Sequence, residues 1–325
     1  MTSSEQAVAT VPQSEPLARY ATQARQYAAQ AKSERTLAAY ESDWNDFLDF
    51  CRRTGQGSLP ARPETVALYL THLVDDRKRK TSTLARRIAA ISQVHQAAGY
   101  PTPTAESVVR SVLAGIRRVH GSEQTAKTAL SPELLRKLVA GLPGTLRGRR
   151  DRALLLVGFA GALRRSELVA LAVRDVAFEA EGMVLTIRRS KTDPEAAGQL
   201  VGIPYGAQRE TCPVRTLQAW LEAARITEGA VFRPMERWSG RIEPRALEDR
   251  RVATLLQSLV KRAGLDPKNF AGHSLRSGLA TAAAAGGASE RAIMDQTRHK
   301  SVKQVRRYIQ RGSLFRDNAA KYTGV

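Results

Sequence analysis

The last third of the chain carries side chains that together suit phosphate-transfer chemistry. They are His273, Arg276, His299 and Tyr308, preceded upstream by an Arg-x-x-Glu segment, Arg164 to Glu167, and by Lys191. Arginines bind the non-bridging oxygens of a phosphodiester, histidines donate or relay protons, a lysine can protonate a leaving oxygen, and a tyrosine phenol can attack phosphorus. The combination predicts a phosphate-transfer site.

Each of these residues alone has an ordinary structural explanation. A lone His-x-x-Arg pair is usually a solvated helical face, and a single tyrosine such as Tyr308 is more often part of a core. The order and spacing of the whole set carry the prediction. A phenol with a reference pKa of about 10 is a poor nucleophile at neutral pH, so it requires nearby cations or a base, and this set contains both.

The charge of the chain favours a polyanionic partner. The 325 residues carry a formal net charge of +20, and such a chain repels itself unless it binds a polyanion, most often nucleic acid. Charge alone does not distinguish DNA, RNA and an anionic membrane. No apolar run reaches transmembrane length, and residues 1–15 lack the apolar stretch of a signal peptide, which indicates a cytoplasmic, nucleoid-associated protein without a membrane partner.

Hydrophobic periodicity predicts two domains joined by a linker. Residues 1–17 are expected to form a flexible tail, 18–121 a helical DNA-binding bundle, 122–129 the linker and 130–325 the second domain. Cys51 and Cys212 fall in different domains, so two buried thiols are expected rather than a disulfide or a zinc site. In the bundle, apolar residues recur at helical steps from Ser33 to Cys51, and further helices are predicted over 63–73, 82–98 and 105–119.

The second domain is predicted to be mainly helical with a small sheet. Ser131 followed by Pro132 indicates a helix start. Further helices are expected over 151–160, 166–173, 216–224 and 247–263, and around His273 and Tyr308. Two strands, 182–187 and 200–204, are expected to flank a polar hairpin that contains Lys191, and no strand is predicted before residue 180.

A basic run in the first domain is the candidate DNA-contacting surface. Its residues are Arg77, Lys78, Arg79, Lys80, Thr81, Arg86 and Arg87. Charge runs are often solvated faces, but here hydroxyl residues at 81–83 precede a helix whose first turns could meet backbone phosphates or enter the major groove. Aromatic residues are few, which favours duplex DNA over single strands.

Four sequence segments resemble the catalytic boxes of the tyrosine recombinases, also called phage integrases. The segments are 161–168 (GALRRSEL), 190–193 (SKTD), 272–278 (GHSLRSG) and 299–308 (HKSVKQVRRY). His299 and Tyr308 are nine positions apart, which is the usual separation in the family. Ala162 stands where the family frequently has Gly, and Arg298 stands where a Gly often precedes the last His or Trp.

The resemblance implies a role for each residue of the set. Tyr308 would be the nucleophile, Arg164 and Arg276 would clamp the scissile phosphate, Lys191 would protonate the leaving 5′ oxygen, and Glu167 would support Arg164. His273 and His299 would serve proton transfer and hydrogen bonding in the transition state. The implied reaction needs no cofactor, neither ATP nor a metal.

The implied enzyme is a site-specific DNA recombinase with the simple two-domain layout of Cre-like and XerC/XerD-like members. It would act as a homotetramer on two sites in double-stranded DNA, with accessory factors possible and the segment after Ser313 docking on a neighbouring protomer. Two alternatives stay open at this point. One is relaxation of DNA like a type IB topoisomerase, and the other is a non-enzymatic DNA-binding regulator.

Overall fold

The computed structural model describes residues 19–20, 22–23, 27, 32–121, 127–188, 198–236, 238–299, 301–312 and 323. The chain divides into two compact units, Met1–Thr125 and Ala126–Val325. This division falls within the stretch 122–129 that the sequence analysis assigns to a linker. The expected tail, residues 1–17, and Lys191 both lie outside the described residues.

Residues 32–121 of the first unit form four α-helices. These are α1 (Glu34–Thr54), α2 (Pro63–Asp75), α3 (Thr81–Ala97) and α4 (Ser107–His120), with a short 3₁₀ helix, Pro103–Ala105, before α4. Ser33 caps α1 through its side chain, and Gly55 ends it in the left-handed conformation with φ 66°. Helix α1 packs on α3, and α2 packs on α4. The core between them contains Phe47, Tyr69, Leu70, Leu84, Ile91 and Val109.

The second unit is mainly helical. Its helices are α5 (Pro132–Ala140), α6 (Leu146–Ala160), α7 (Arg165–Ala170), α8 (Pro213–Ala223), α9 (Asp249–Arg262), α10 (His273–Ala285), α11 (Glu290–Thr297) and α12 (Val302–Gly312). Three strands, β1 (Val176–Phe178), β2 (Gly182–Ile187) and β3 (Gln199–Pro204), form an antiparallel sheet in the order β1-β2-β3. Strands β2 and β3 pair from Gly182 with Pro204 to Ile187 with Gln199.

Helix α6 is the centre of this unit. All five residues from Ala153 to Val157 are buried, and both α8 and α10 pack against the helix. A run of five apolar residues covers more than one turn and is stable in a helix only when neighbours bury it all round. Its C-terminal end, at Ala160, leads directly into the turn that carries Arg164.

The segment before α5 fixes helix α10, on which two of the predicted site residues lie. The Leu130 amide donates to the Ser274 carbonyl over 2.9 Å. A Cβ atom at Gly278 would lie 2.2 Å from the Leu130 carbonyl oxygen. Glycine is therefore required there for the close approach that holds the first turns of α10 in place.

The mainly α fold class with a small antiparallel sheet is confirmed, and the differences in detail concern short elements and the bounds of helices. Strand β1 lies before residue 180, where no strand was predicted, because three residues are too few to show an alternating pattern. Helix α11 was also missed; it has only eight residues. Helix α6 begins at Leu146 rather than 151, because the Thr145 side chain caps it by accepting from the Gly148 amide.

Both cysteines are buried as free thiols. Among the described helices, none combines the length and the apolar character that crossing a membrane requires.

Candidate active site

The turn between α6 and α7 presents Arg164. Ala162, in this turn, has a left-handed backbone with φ 46°, which is the conformation that glycine adopts most easily. Arg164 is the N-cap of α7, and the Glu167 carboxylate accepts from the Arg164 backbone amide over 2.9 Å. The same carboxylate accepts from Arg164 Nη1 over 2.5 Å. Glu167 therefore contacts both the backbone and the guanidinium of Arg164, and its supporting role stays a prediction.

Helix α10 carries His273 at its first position and Arg276 one turn later. Arg276 is 1% exposed, and its Nη1 donates to the Ala162 carbonyl over 2.7 Å. Its Nη2 is buried and has no hydrogen-bond partner among the described residues. Burial, followed by the neighbouring cations Arg164 and Arg298, lowers the pKa of Arg276 to about 10, so this guanidinium is cationic at neutral pH.

Tyr308 lies on α12 and contacts both candidate histidines. Its hydroxyl is 2.7 Å from His273 Nε2, and its ring centroid is 5.9 Å from that of His299. Val305, fully buried on the same helix, packs in a cluster with Ile293 of α11. The buried valine anchors α12, and the half-buried Tyr308 is thereby held beside His273.

Both histidines are expected to be neutral at pH 7. The pKa of His273 lies below its ordinary value, first because protein atoms displace water from the ring, and then because Arg276 and Arg164 repel a second positive charge. The same causes lower the pKa of His299 to about 4. A neutral His273 can accept the Tyr308 proton at Nε2, which makes it a candidate general base.

Thr297 determines which nitrogen of His299 carries the proton. The Thr297 hydroxyl donates to the Ile293 carbonyl over 2.6 Å, so toward His299 Nδ1, 2.7 Å away, it acts as an acceptor. The Nδ1 atom of the neutral ring is therefore protonated, and Nε2 carries the lone pair.

Two further residues belong to this site although the sequence analysis did not assign them to it. Arg298 is buried and forms an ion pair with Glu167, the Nη2 to Oε2 distance being 2.8 Å, and Thr297 orients His299. The only signal for Arg298 in the sequence was its position, where the family often has glycine. Within the described residues, no three His, Cys, Asp or Glu side chains are grouped so that they could hold a metal ion.

The structure separates the basic run of the first unit into exposed and buried residues. Residues 77–80 are exposed between α2 and α3, and Thr81, half-buried, begins α3. Arg77 also lies 3.5 Å from an Asp46 carboxylate oxygen. The exposed part of the run, Arg77 to Lys80, therefore stays a candidate DNA surface.

The neighbouring arginines Arg87 and Arg86 differ in burial, and Arg87 requires a correction. Arg87 is 7% exposed and forms ion pairs with Asp46 and Asp43 inside the bundle, so the prediction that it contacts DNA is wrong. Arg86 is more exposed, but it donates from Nε and Nη2 to the buried Asp43 carboxylate over 2.6 and 3.0 Å. It neutralises a buried aspartate, and because its own side chain is exposed, its DNA contact stays a prediction.

Two family models match the sequence. The model of the phage integrase family matches residues 129–313, more than half of the chain. The chain belongs to the phage integrase family. A second model, described as the phage integrase N-terminal SAM-like domain, matches residues 25–99. The resemblance inferred from the catalytic boxes is thus confirmed.

Individual relatives of this phage integrase family member agree with the family models. The integrase/recombinase xerD homolog of Selenomonas ruminantium is 44% identical over 294 residues, covering 89% of this chain and 85% of that protein. The tyrosine recombinase XerD of Rhizobium meliloti (strain 1021) is 27% identical over 283 residues, which is 84% of either chain. Most of the length of both proteins is therefore shared with this chain.

A solved structure supports the same fold. The Tn1549 transposon integrase, in complex with transposon right end DNA, matches this chain with a TM-score of 0.62 at 14% identity, over 89% of this chain and 92% of that one. At this identity the match establishes the fold alone.

Proposed function

We propose that the chain is a site-specific DNA recombinase that breaks and rejoins duplex DNA through a 3′-phosphotyrosyl intermediate. One observation carries the proposal: the Tyr308 hydroxyl lies 2.7 Å from Nε2 of His273, in a site whose arginines are close enough to lower the pKa of both histidines. A nucleophile, a base and a cationic environment for phosphate are thus combined. Membership of the tyrosine recombinase family supports the same function.

In the cleavage step, the Tyr308 oxygen attacks the scissile phosphorus while its proton passes to His273 Nε2. The bond from phosphorus to the tyrosine oxygen forms as the bond from phosphorus to the 5′ oxygen breaks. The products are a 3′-phosphotyrosyl ester and, after the leaving oxygen takes a proton, a free 5′-hydroxyl. The sequence assigns that last proton to Lys191, a role that stays a prediction.

The arginines stabilise the charge that develops on phosphate. Arg276 offers a buried Nη2 donor that is unpaired among the described residues, and Arg164 is oriented by two hydrogen bonds to Glu167. Donors held in place before the reaction need no reorganisation in the transition state. His299, with Nδ1 protonated, lies beside the Tyr308 ring.

Rejoining reverses the same chemistry. A 5′-hydroxyl from a second duplex attacks the phosphotyrosyl ester and returns its proton to the group that protonated the leaving oxygen, predicted to be Lys191. The bond from phosphorus to the Tyr308 oxygen breaks, and Tyr308 recovers its proton from His273. The number of phosphodiester bonds is unchanged, so the proposed reaction includes neither ATP nor a cofactor. The proposed assembly is a homotetramer on two sites in cytoplasmic duplex DNA; the net charge of +20 and the aromatic content of 6% support a duplex as the substrate.

The nucleophile can be tested by replacing Tyr308 with Phe. The probe is a pool of random-sequence duplexes that each carry a single nick. When cleavage occurs close to the nick, the short fragment between the two breaks diffuses away. Rejoining is then impossible, and the protein stays attached to the DNA. We expect wild-type protein to form an adduct on a denaturing gel, and Tyr308→Phe to form none while it still binds DNA. Tyr205→Phe, at another half-buried tyrosine of the same unit, is the control and should form the adduct normally.

Two outcomes would point to the alternative functions. An adduct formed by Tyr308→Phe would remove Tyr308 from the role of nucleophile, and wild-type protein that binds DNA without any adduct would favour a regulator. Strand exchange is tested separately, with two differently labelled duplexes of the captured sequence. Relaxation of a supercoiled plasmid carrying that sequence, without exchanged products, would favour a topoisomerase.

A further inference from the structure

The C-terminal end of α6 is bound by side chains from two later segments of the chain. Gln296 donates to the Ala160 carbonyl over 2.8 Å, and Arg298 donates to the carbonyls of Gly161 and Ala162 over 3.1 and 3.3 Å. The Ala162 carbonyl also accepts from Arg276. Three consecutive carbonyls at a helix end, which carry partial negative charge, are thereby paired with donors from three side chains, two of which, Arg298 and Arg276, are cationic.

Arg298 links the carbonyls of Gly161 and Ala162 to Glu167, the residue that contacts Arg164. Its guanidinium contacts Glu167 Oε2 over 2.8 Å, across 131 positions of sequence. Oxygen Oε2 of Glu167 thus accepts from Arg298 and from the Arg164 amide, while Oε1 accepts from the Arg164 guanidinium. One buried arginine therefore connects the turn that presents Arg164 with the segment that leads into His299.

The backbone at Arg298 is one that glycine adopts more easily than arginine. Arg298 ends α11 in the left-handed conformation, with φ 53° and ψ 45°, which is unfavourable for a residue that has a Cβ atom. Glycine would fit this backbone better but would leave no donor for Glu167 Oε2 or for the carbonyl of Gly161. Arg298 is 8% exposed, so its contacts are shielded from water.

We propose that Arg298 is a positioning residue, which locks the Arg164 turn to the His299 segment so that the two arginines proposed to bind phosphate are placed relative to Tyr308. The inference rests on the function proposed above. The side chain of Arg298 donates to Glu167 and to the carbonyls of Gly161 and Ala162. It acts through Glu167 and the Ala162 carbonyl, on Arg164 and Arg276 respectively.

The charges that surround Glu167 provide a readout of this role. Burial alone would raise the pKa of Glu167, but the cations Arg298, on the segment after α11, and Arg164, at the start of α7, keep it below its usual value; Arg276, on α10, adds a further positive charge nearby. Wild-type Glu167 is therefore ionised at neutral pH and protonates only below its ordinary range. Without Arg298, protonation begins at a higher pH.

The test compares Arg298→Gly with Arg225→Gly. Arg225 is exposed and has the same left-handed backbone, φ 52°, so its replacement relieves the same strain without removing a site contact. On the duplex captured by wild-type protein, we expect Arg298→Gly to reduce the single-turnover rate of adduct formation by about 10²-fold, with DNA affinity near that of wild type. Arg225→Gly should cleave like wild type.

Two further measurements separate positioning from folding. In Arg298→Gly the loss of rate on acidification should begin at a higher pH than in wild type, because Glu167 has lost a cation. The double variant Arg298→Gly with Glu167→Gln should cleave faster than the product of the two single effects predicts, because no buried carboxylate is then left short of a partner. If Arg298 were purely structural, its substitution would lower the unfolding temperature but leave the pH profile of the cleavage rate of the folded enzyme unchanged.

Arg298→Met, which keeps volume and removes the charge, is measured as well in case the glycine variant folds poorly. A wild-type rate and pH profile in whichever variant folds would overturn the proposal, and so would failure of both to fold, since the role would then be structural. Failure of the proposed function looks different: wild-type protein would form no adduct. The coupling of Arg298 and Glu167 is then measured in unfolding experiments without DNA, and independent effects of the two substitutions would still refute the pairing.

Discussion

Each of the two units contains a tyrosine next to arginines, yet only one of these tyrosines is suited to attack phosphorus. Tyr69, in the first unit, donates to an Asp46 carboxylate oxygen over 2.7 Å. Tyr308, in the second, contacts the imidazole of His273 at the same distance. A carboxylate beside a phenol opposes its ionisation, whereas a neutral imidazole can remove its proton.

The ionisation of Tyr69 is suppressed by its surroundings. Burial, followed by the hydrogen bond to Asp46, raises the pKa of Tyr69 well above its ordinary value, although Arg87 also contacts its hydroxyl. Two aspartates, Asp43 and Asp46, accompany Arg77, Arg86 and Arg87 in this network, so two carboxylates offset three arginines. We expect the network to stabilise the bundle, because its buried charges are paired.

Among the described residues, the site around Tyr308 has a larger excess of positive charge. Arg164, Arg276 and Arg298 surround Glu167, whose carboxylate pairs with Arg164 and Arg298. Much of the excess positive charge is buried, and an unpaired buried charge is destabilising. Binding of an anion such as phosphate would offset that cost. The ratio of arginines to carboxylates, more than the presence of tyrosine and arginine, therefore distinguishes a phosphate site from a structural network.

The largest effect is expected from Arg276→Ala. Loss of a preorganised donor to the transition state should slow adduct formation by about 10²- to 10³-fold, while DNA affinity changes little because only one phosphate is deprived of a cationic partner. Since Arg276 is one of the cations that lower the pKa of His273 and His299, the loss of rate on acidification should also begin at a higher pH.

The measurement is a single-turnover cleavage rate as a function of pH, beside a binding titration. Arg262→Ala, at an exposed arginine near the end of α9, is the control. Equal loss of binding and cleavage in Arg276→Ala would mean that this arginine contributes ground-state affinity instead of stabilising the transition state.

Arg87→Ala should lower the stability of the first unit and leave the cleavage rate unchanged, the reverse of what is expected for Arg276→Ala. We expect it to destabilise the first unit by about 3 kcal/mol, at the lower end of the range for breaking a buried ion pair, because Arg86 and Tyr69 still contact the two aspartates. Cleavage per folded molecule should be unchanged. Hydrogen exchange over residues 34–120 during urea titration measures the effect, with Arg118→Ala, an exposed position on α4, as the control.

The opposite outcome for Arg87 would remove the contrast between the two units. If Arg87→Ala left the bundle as stable as wild type but weakened DNA binding, Arg87 would be a DNA contact after all. The network around Tyr69 would then be part of an interface, and the ratio of arginines to carboxylates would lose its value as a criterion.

The smallest effect concerns the exposed residues Lys78 and Lys80. Replacing both with Ala should flatten the plot of log affinity against log salt concentration by about 0.9 for each phosphate that the protein no longer neutralises, with no change in the cleavage rate of bound DNA. The control removes the same charge from α1, as Arg52→Ala with Arg53→Ala, two exposed arginines in its last turn. A wild-type slope in the lysine variant would show that the exposed run is only a solvated face.

The sequence by itself predicted the elements whose signals are local. Ser131 caps α5 as expected, α1 begins just after Ser33, where the helical pattern begins, and strand β2 has the predicted bounds, because caps and hydrophobic periodicity depend on neighbours within a few positions. The candidate catalytic residues were also identified from type, order and spacing, and the structure brings those that it describes into one site. Strand β1 and helix α11 were missed because elements this short contain too few residues for a periodic signal.

Tertiary structure alone decided which charged groups pair. Arg86 and Arg87 are neighbours in a basic run, yet one is partly exposed and the other buried, because α3 turns Arg87 toward Asp46, 41 positions earlier. Arg298 was only a departure from a family pattern until folding placed it on Glu167. Ion pairs across such separations depend on how the helices pack. The same packing determines whether a buried cation is neutralised by a carboxylate of the protein or can bind a phosphate.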